Sequence, residues 1–307
     1  MLKKIIILIL ICLSSFLFPF NGIAHSGSWD ESRNFTISAD SIPVYPSPDK
    51  DSHPELILYR GMDLKPLESV IKEGFSWFKI NKKFWIPAIE PEGKVNLVSE
   101  ENSDSPKIID MYGILDLPHR FAVKIVKLPG AKGTLETYEK KGDKYVFRYS
   151  YGLTYRKEGP KEKYGDLKSP GGNVVRYIYR TTESSMNGWD KEGKRFGVFK
   201  VSYPMPHDAL PYLMDGKMSI EEYNKIPTIN YQGSGDNKRL YPHPHSSLGA
   251  DILIHTKRWG SAGCFNIDNE EMSFLYNEDL VTENDKEIIP LVIYDEDTVA
   301  PPEGQLF

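Results

Sequence analysis

The chain has 307 residues, with 38 Lys+Arg against 43 Asp+Glu and a formal net charge of −5. That acidic balance argues against nucleic acid or an anionic membrane surface as the main partner, because both select a basic face. Eighteen Tyr, fourteen Phe and many short runs bounded by Gly, Pro and Asn favour a mainly β protein.

Residues 1–24 read as a secretory signal peptide. Lys3 and Lys4 precede an apolar run from Ile5 to Phe20, and Gly22 and Ala24 occupy the −3 and −1 positions of a cut before His25. An uncleaved membrane anchor is the alternative, against which the run is shorter than the roughly 20 apolar residues a spanning helix needs; after cleavage no integral membrane span is expected. Ile11 before Cys12 is too large for a lipoprotein cleavage site. Loss of the leader removes two lysines and takes the net charge from −5 to −7. It also removes Cys12 and leaves Cys264 as the single cysteine. An odd cysteine in an exported chain closes no internal disulfide; it pairs with another chain, stays a thiol, or is kept for its reactivity.

Residues 35–91 read as a small all-β module. "FTISADSIPVYPSPD", "ELILYRGMDLKPLESVI" and "FSWFKINKKFWIPAIEP" are short strands separated by Asp-, Gly- and Pro-rich turns, and Trp77, Phe78, Phe84 and Trp85 give so small a core its bulk. The "VYPSPD", "RGMDLKPLE" and "SWFKI...FWIPA" segments resemble a bacterial SH3-like domain, a small barrel. That resemblance implies either wall-glycopeptide binding or packing on a catalytic neighbour. Residues 92–111 open with the polar, acidic "EGKVNLVSEENSDSPK" and read as a linker.

From 112 to 295 strands alternate with turns, and 296–307 form a tail. "RFAVKIVKL", "TLETYEK" and "KYVFRYSYG" suit successive strands, the last placing Tyr145, Phe147 and Tyr149 on one face at period two. "NVVRYIYRT" and "GVFKVSYP" follow, separated by turn formers at Asn187-Gly188 and Glu192-Gly193. The excursion from Pro204 to Leu248 is long enough to be a lid, with one short helix where Ser219 and Glu222 have capping-box spacing. A second helix is expected after Asp268, with Met272, Leu275 and Tyr276 as its apolar face. "EIIPLVIYDE" closes the domain as a strand.

The chemistry concentrates in "ILIHTKRWGSAGCFNI", residues 252–267. A thiol with a pKa near 8.5 is only about 3% ionised at pH 7, so a reactive cysteine needs a nearby base or positive dipole. His255 ends the apolar run "ADILIH", and Gly260 and Gly263 let the following loop return tightly to Cys264. A glycine before the nucleophile also frees backbone N–H groups to face a developing oxyanion. A Cys/His nucleophilic site stands beside two plainer readings, a small buried thiol and a hydrogen-bonded core histidine. A zinc site built from His243, His245, Asp251 and His255 is a further alternative.

The same residues resemble the L,D-transpeptidase catalytic family (YkuD type, YafK-like branch). Its I-H-G, loop and S-x-G-C pattern is matched by His255, Ser261, Gly263 and Cys264. "GPKEKYGDLKSPGG", residues 159–172, is similar to its G-P-K-x-x-x-G-D-x-x-T-P-E-G segment. "VSYPMPHD", with Tyr203, resembles Y-P-N-x-x-D, and "GADILIH", with Asp251, resembles G-x-D-I-x-I-H. The resemblance implies a mainly β catalytic domain of β-sandwich type with a few short helices, exported to the periplasm or cell envelope, and using no cofactor. It implies peptidoglycan stem peptides as substrate and a wall-peptide amine or a wall-anchored protein as acceptor. Cys264 would be the nucleophile and His255 the base and acid, oriented by the Thr256 carbonyl, with the N–H groups of Gly263 and Cys264 as oxyanion donors. Ser261, Ala262, Asn266, Tyr203 and Asp251 would bind or shape the substrate site. Thr256, Ala262, Asn266 and Met205 depart from the family's commoner Gly, His, Arg and Asn, and three of these changes bear on how substrate is read. Hydrolysis of a wall-peptide or lipoprotein–wall bond, and a non-catalytic wall-binding role, are the alternatives.

Overall fold

Short apolar and polar runs make eight short strands in the first third of the chain: β1 (Phe35–Ile37), β2 (Ser41–Val44), β3 (Leu56–Tyr59), β4 (Asp63–Leu64), β5 (Glu68–Lys72), β6 (Phe75–Lys79), β7 (Trp85–Ile89) and β8 (Leu97–Ser99). The structure is a computed structural model, and it describes residues 34–99, 110, 114–115, 119–157, 169–171, 174–182, 184, 186–226, 252–256, 263–283, 287–295 and 300–306. The expected signal peptide and most of the expected linker lie outside these residues.

The eight strands form three antiparallel sheets, ordered β4-β1-β8, β2-β3 and β5-β6-β7. Between β5 and β6 the chain turns in two residues, Glu73 and Gly74, both at positive φ (55° and 81°). This is the geometry that matches hairpin twist. Trp77, only 1% exposed, packs edge-on to Tyr45 with ring centroids 5.4 Å apart, and Phe35 meets Phe78 at the same distance. The aromatic residues therefore form the small core expected of them.

The rest of the chain builds β9 (Phe121–Leu128), β10 (Lys132–Lys141), β11 (Lys144–Thr154), β12 (Val175–Thr181), β13 (Gly188–Trp189), β14 (Arg195–Phe196) and β15 (Val198–Val201). Then come helices α1 (Pro206–Met214) and α2 (Ile220–Asn224), strands β16 (Leu253–Thr256) and β17 (Phe265–Ile267), helix α3 (Asn269–Phe274) and strand β18 (Ile289–Tyr294). Eight of these strands close on themselves in the order β10-β11-β17-β16-β15-β12-β18-β9. The fold is thus mainly β, and where facing sheets were expected the hydrogen-bonded ladder runs round without a break. Pairs β16–β17 and β18–β9 are parallel and the others antiparallel.

Register defines the two faces of the barrel. Val123, Ile125, Phe199, Ile254, Phe265 and Leu291 follow one another across paired strands and are completely buried, and the C-terminal residues 301–306 pack over Lys124 and Tyr138 on the opposite face, so the first set faces the interior. A bulge at Arg148 interrupts the β10–β11 ladder, where Thr137 pairs with Tyr149 but Tyr138 with Phe147. One extra residue reverses the alternation. Tyr145 and Phe147 therefore pack outside with Tyr138 and Leu306, whereas Tyr149 moves to the other face, against the period-two expectation. The displaced Arg148 reaches buried Asp279, Nε to Oδ1 at 3.0 Å.

Helix α3 begins after Asp268 as expected, with the Asp268 carboxylate accepting from Glu270 N, and continues as a π-turn over Leu275–Asp279. Met272, Leu275 and Tyr276 are buried on it. Ser219 accepts from Glu222 N and starts α2. Helix α1 was not foreseen; Pro206 in its first turn and the Asp208 carboxylate accepting from Met205 N were its available signals. Asn224 Nδ2 donates to Glu55 O at 3.0 Å, and a cleft of about 720 Å³ is lined by Ile80 and Phe84 together with Leu213 and Met218. No described helix is long and apolar enough to cross a membrane.

Candidate active site on the outer face of the barrel

Strands β16 and β17 run parallel, with Ile254 opposite Phe265, His255 opposite Asn266 and Thr256 opposite Ile267. Since Ile254 and Phe265 face inward, His255 and Asn266 face outward, and Cys264, two residues before Asn266, shares that outer face. Leu253 N donates to Cys264 Sγ at 3.4 Å, which fixes the thiol over the start of β16. His255 and Cys264 are thus diagonal neighbours on adjacent strands. Both are buried, His255 fully and Cys264 to 6% exposure, and Cys264 packs with Val198, Leu253 and the partly buried Met186.

The imidazole is held by its own strand. His255 Nδ1 lies 2.5 Å from the Thr256 carbonyl oxygen, which only accepts, so Nδ1 carries a proton, and in the neutral form of the ring the lone pair is then on Nε2. Gly263 sits at φ 92°, a conformation that favours glycine, and so turns the chain into β17 with Cys264 at its first bend. Asn266 Nδ2 donates to Thr154 O at 3.3 Å, and its Oδ1 is buried with no hydrogen-bond partner among the described residues. It stands directly across from His255, so this face carries an acceptor as well as a base and a thiol.

Of the other expected site residues, Ser261, Ala262 and Asp251 lie outside the described residues, as do His243, His245 and the later part of the 204–248 excursion. No group of three or more possible metal ligands occurs among the described residues. Tyr203 is described, two residues beyond the end of β15. It is 1% exposed, with its ring 5.7 Å from the Arg176 guanidinium carbon. Met205 is equally buried, at the start of α1, with Ser202 Oγ 3.6 Å from its sulfur.

Sequence reasoning missed the ion pair beneath these two. Arg176, on β12 and fully buried, donates twice to Asp208, Nη1 to Oδ2 at 2.8 Å and Nη2 to Oδ1 at 2.6 Å. It also donates to Ser202 O at 3.2 Å and Gly171 O at 3.0 Å. Burial alone would raise the Asp208 carboxyl, but Arg176 and the Met205 N–H overrule it and hold it below the usual carboxylate range. The aspartate of "VSYPMPHD" is therefore a half-buried counter-ion to a buried arginine, and a helix cap. The described end of "GDLKSPGG" is tied to the same cluster, and Gly171 lies so close to Asp295 that a Cβ there would come within 2.0 Å of Oδ1. Asp295 in turn pairs with buried Lys127 at 2.9 Å.

No family model and no curated protein matches the chain. Among solved structures the chain is similar to that of Bdellovibrio bacteriovorus Bd1075, at 16% identity and a TM-score of 0.30, covering 57% of this chain and 48% of that one. This chain thus spans about half the length of that protein, and a likeness of this degree supports no inference about fold or activity.

Proposed function

We propose that this chain is an exported cysteine acyl-transfer enzyme of the L,D-transpeptidase kind, acting on peptidoglycan stem peptides in the periplasm or cell envelope. The observation that carries the reading is the placement of His255 and Cys264 as diagonal neighbours on one face of a parallel strand pair, with the imidazole proton committed to the Thr256 carbonyl. His255 Nε2 takes the thiol proton as Cys264 Sγ attacks the carbonyl of the third stem residue. The N–H groups of Gly263 and Cys264 receive the oxyanion, and the imidazolium returns its proton to the departing D-alanine amine. An amine of a second stem or of a wall-anchored protein then displaces the thiolate from the thioester. In this reading residues 35–91 are an SH3-like module beside the catalytic unit, and the barrel stands in the place of the family's β-sandwich.

The test is mass spectrometry of the intact protein and its products with defined disaccharide tetrapeptide, with and without acceptor amine. A Cys264 adduct less one alanine is expected, absent in Cys264→Ala, whose fold should survive at a loss of about 1 kcal/mol for so small a void. No adduct at any stem concentration would overturn the enzyme reading. An adduct that decays only to tripeptide with acceptor in excess would make the protein a hydrolase.

A further inference from the structure

The hairpin β13–β14 presents two opposite faces. On the inner one Phe196, 1% exposed, lies over Gly188 so closely that a Cβ at Gly188 would come within 2.1 Å of its ring. On the outer one Trp189 and Arg195 are a direct cross-strand pair, and Trp189 is 55% exposed. The alternation that buries Phe196 therefore displays the indole, with a guanidinium beside it. The connecting turn is stiffened by Asp190, whose Oδ1 accepts from Glu192 N at 3.0 Å and Lys194 N at 2.7 Å. Lys191, Lys194 and Arg195 are exposed and make no ion pair with any described residue, whereas Asp190 is occupied by the backbone. Over residues 189–195 Lys191, Lys194 and Arg195 outnumber Asp190 and the exposed Glu192, so the hairpin is net positive in an acidic chain, with the indole beside Arg195.

Its position is fixed relative to the thiol. Met186, three residues before Trp189, packs on the Val198, Leu253 and Cys264 cluster. Asn269, five residues after Cys264, donates from Nδ2 to Trp189 O at 2.8 Å. The hairpin is thus tied to the start of α3, and the residue just before it to the packing around Cys264, so it is not an independent loop.

We infer that Trp189 and the cations around it form a binding surface for the carboxylate-bearing stem peptide and its attached sugar, the indole stacking on the ligand and Arg195, Lys191 and Lys194 facing its free carboxylates. The inference rests on the reading of Cys264 as the acylated nucleophile for the choice of ligand, and on charge complementarity for its class. A single-stranded nucleic acid would share the need for cations and an aromatic plate. The net charge of −5 over the whole chain favours the smaller, discretely charged ligand.

Calorimetric titration of soluble disaccharide tetrapeptide into the full chain carrying Cys264→Ala measures binding without turnover. Adding Trp189→Ala should weaken it about ten-fold, the size expected for removing a central aromatic contact. Trp189→Phe should restore most of that loss, and Arg195→Glu should weaken binding and flatten its dependence on salt between about 0.05 and about 0.5 M. Both sites are exposed, and circular dichroism of each variant confirms that its fold is kept. Affinity within two-fold of the parent for both Trp189→Ala and Arg195→Glu would overturn the inference, as would tighter binding of a single-stranded oligonucleotide. Unchanged binding with normal acylation of Cys264 leaves the enzyme reading standing and removes this one. Trp189-dependent binding without acylation does the reverse.

Discussion

Replacing Asp208 by Asn keeps the size and one acceptor of the side chain but strands the Arg176 cation, which is fully buried and spends two of its four protein hydrogen bonds on that carboxylate. Breaking a buried pair from one side destabilises by about 3–5 kcal/mol, mostly the desolvation of the charge left behind. For a unit of this size each kcal/mol moves the melting temperature by about 2–4 °C, so a fall of about 6–20 °C is expected in a thermal scan. A double-mutant cycle with Arg176→Met should return a coupling of at least about 2 kcal/mol, because the second change removes the stranded charge. The pH dependence has a definite sign. Asp208 is held below its unfolded pKa of about 3.9, so its contribution is fully present above that value and is lost as pH falls through the lower, folded one. Asp208→Asn should flatten the acid limb of stability accordingly. A loss under about 1 kcal/mol, or strictly additive losses in the cycle, would refute the view that this pair holds α1 to the barrel.

His255→Ala should leave the thiol in place but abolish its activation, measured as the iodoacetamide alkylation rate of Cys264 from pH 5 to 9; a profile superimposable on wild type would exclude His255 as the activating base. Deleting residues 300–307 removes the carbonyls of Pro301, Pro302 and Gln305 that hold the fully buried Lys124 ammonium, and the Leu306 side chain that covers Tyr138. Urea denaturation should show a loss of at least about 3 kcal/mol, and an unchanged midpoint would mean the tail is dispensable. Gly171→Ala should destabilise by about 1–3 kcal/mol, since the new methyl displaces Asp295 from Lys127; its effect should shrink when Asp295→Ala is already present.

The strands were legible because their signal is local. Phe121–Leu128, Val175–Thr181 and Ile289–Tyr294 each carry their apolar run and turn residues within ten positions, and the caps at Ser219 and Asp268 are read from single side chains. What joins distant positions was not legible. Nothing in "KYVFRYSY" announces that Arg148 is a bulge, because its reason lies on the π-turn, where Asp279 accepts from Thr137 Oγ1 and Tyr151 OH and meets the guanidinium. Arg176 looked like a polar position on a strand, and its counter-charge comes 32 residues later from a helix whose start is masked by a methionine in the cap position. Closure of the sheet depends on the parallel pairing of β18 with β9, whose residues are some 168 positions apart, a separation no periodicity reports.

The site divides in the same way. That His255 and Cys264 belong together could be read from the glycine-flanked loop between them, but which face they share depends on register. Shifting β17 by one residue against β16 would send Cys264 into the barrel and bring Phe265 out beside His255. The register is held by the interior side chains, since Ile254 and Phe265 pack opposite one another and Phe265 meets the Tyr155 ring at 6.5 Å. The apolar residues of "ILIH" and "CFNI" thus set which face His255 and Cys264 share, and a volume change at Phe265 should alter the alkylation rate of Cys264 without touching either of the two groups proposed to react.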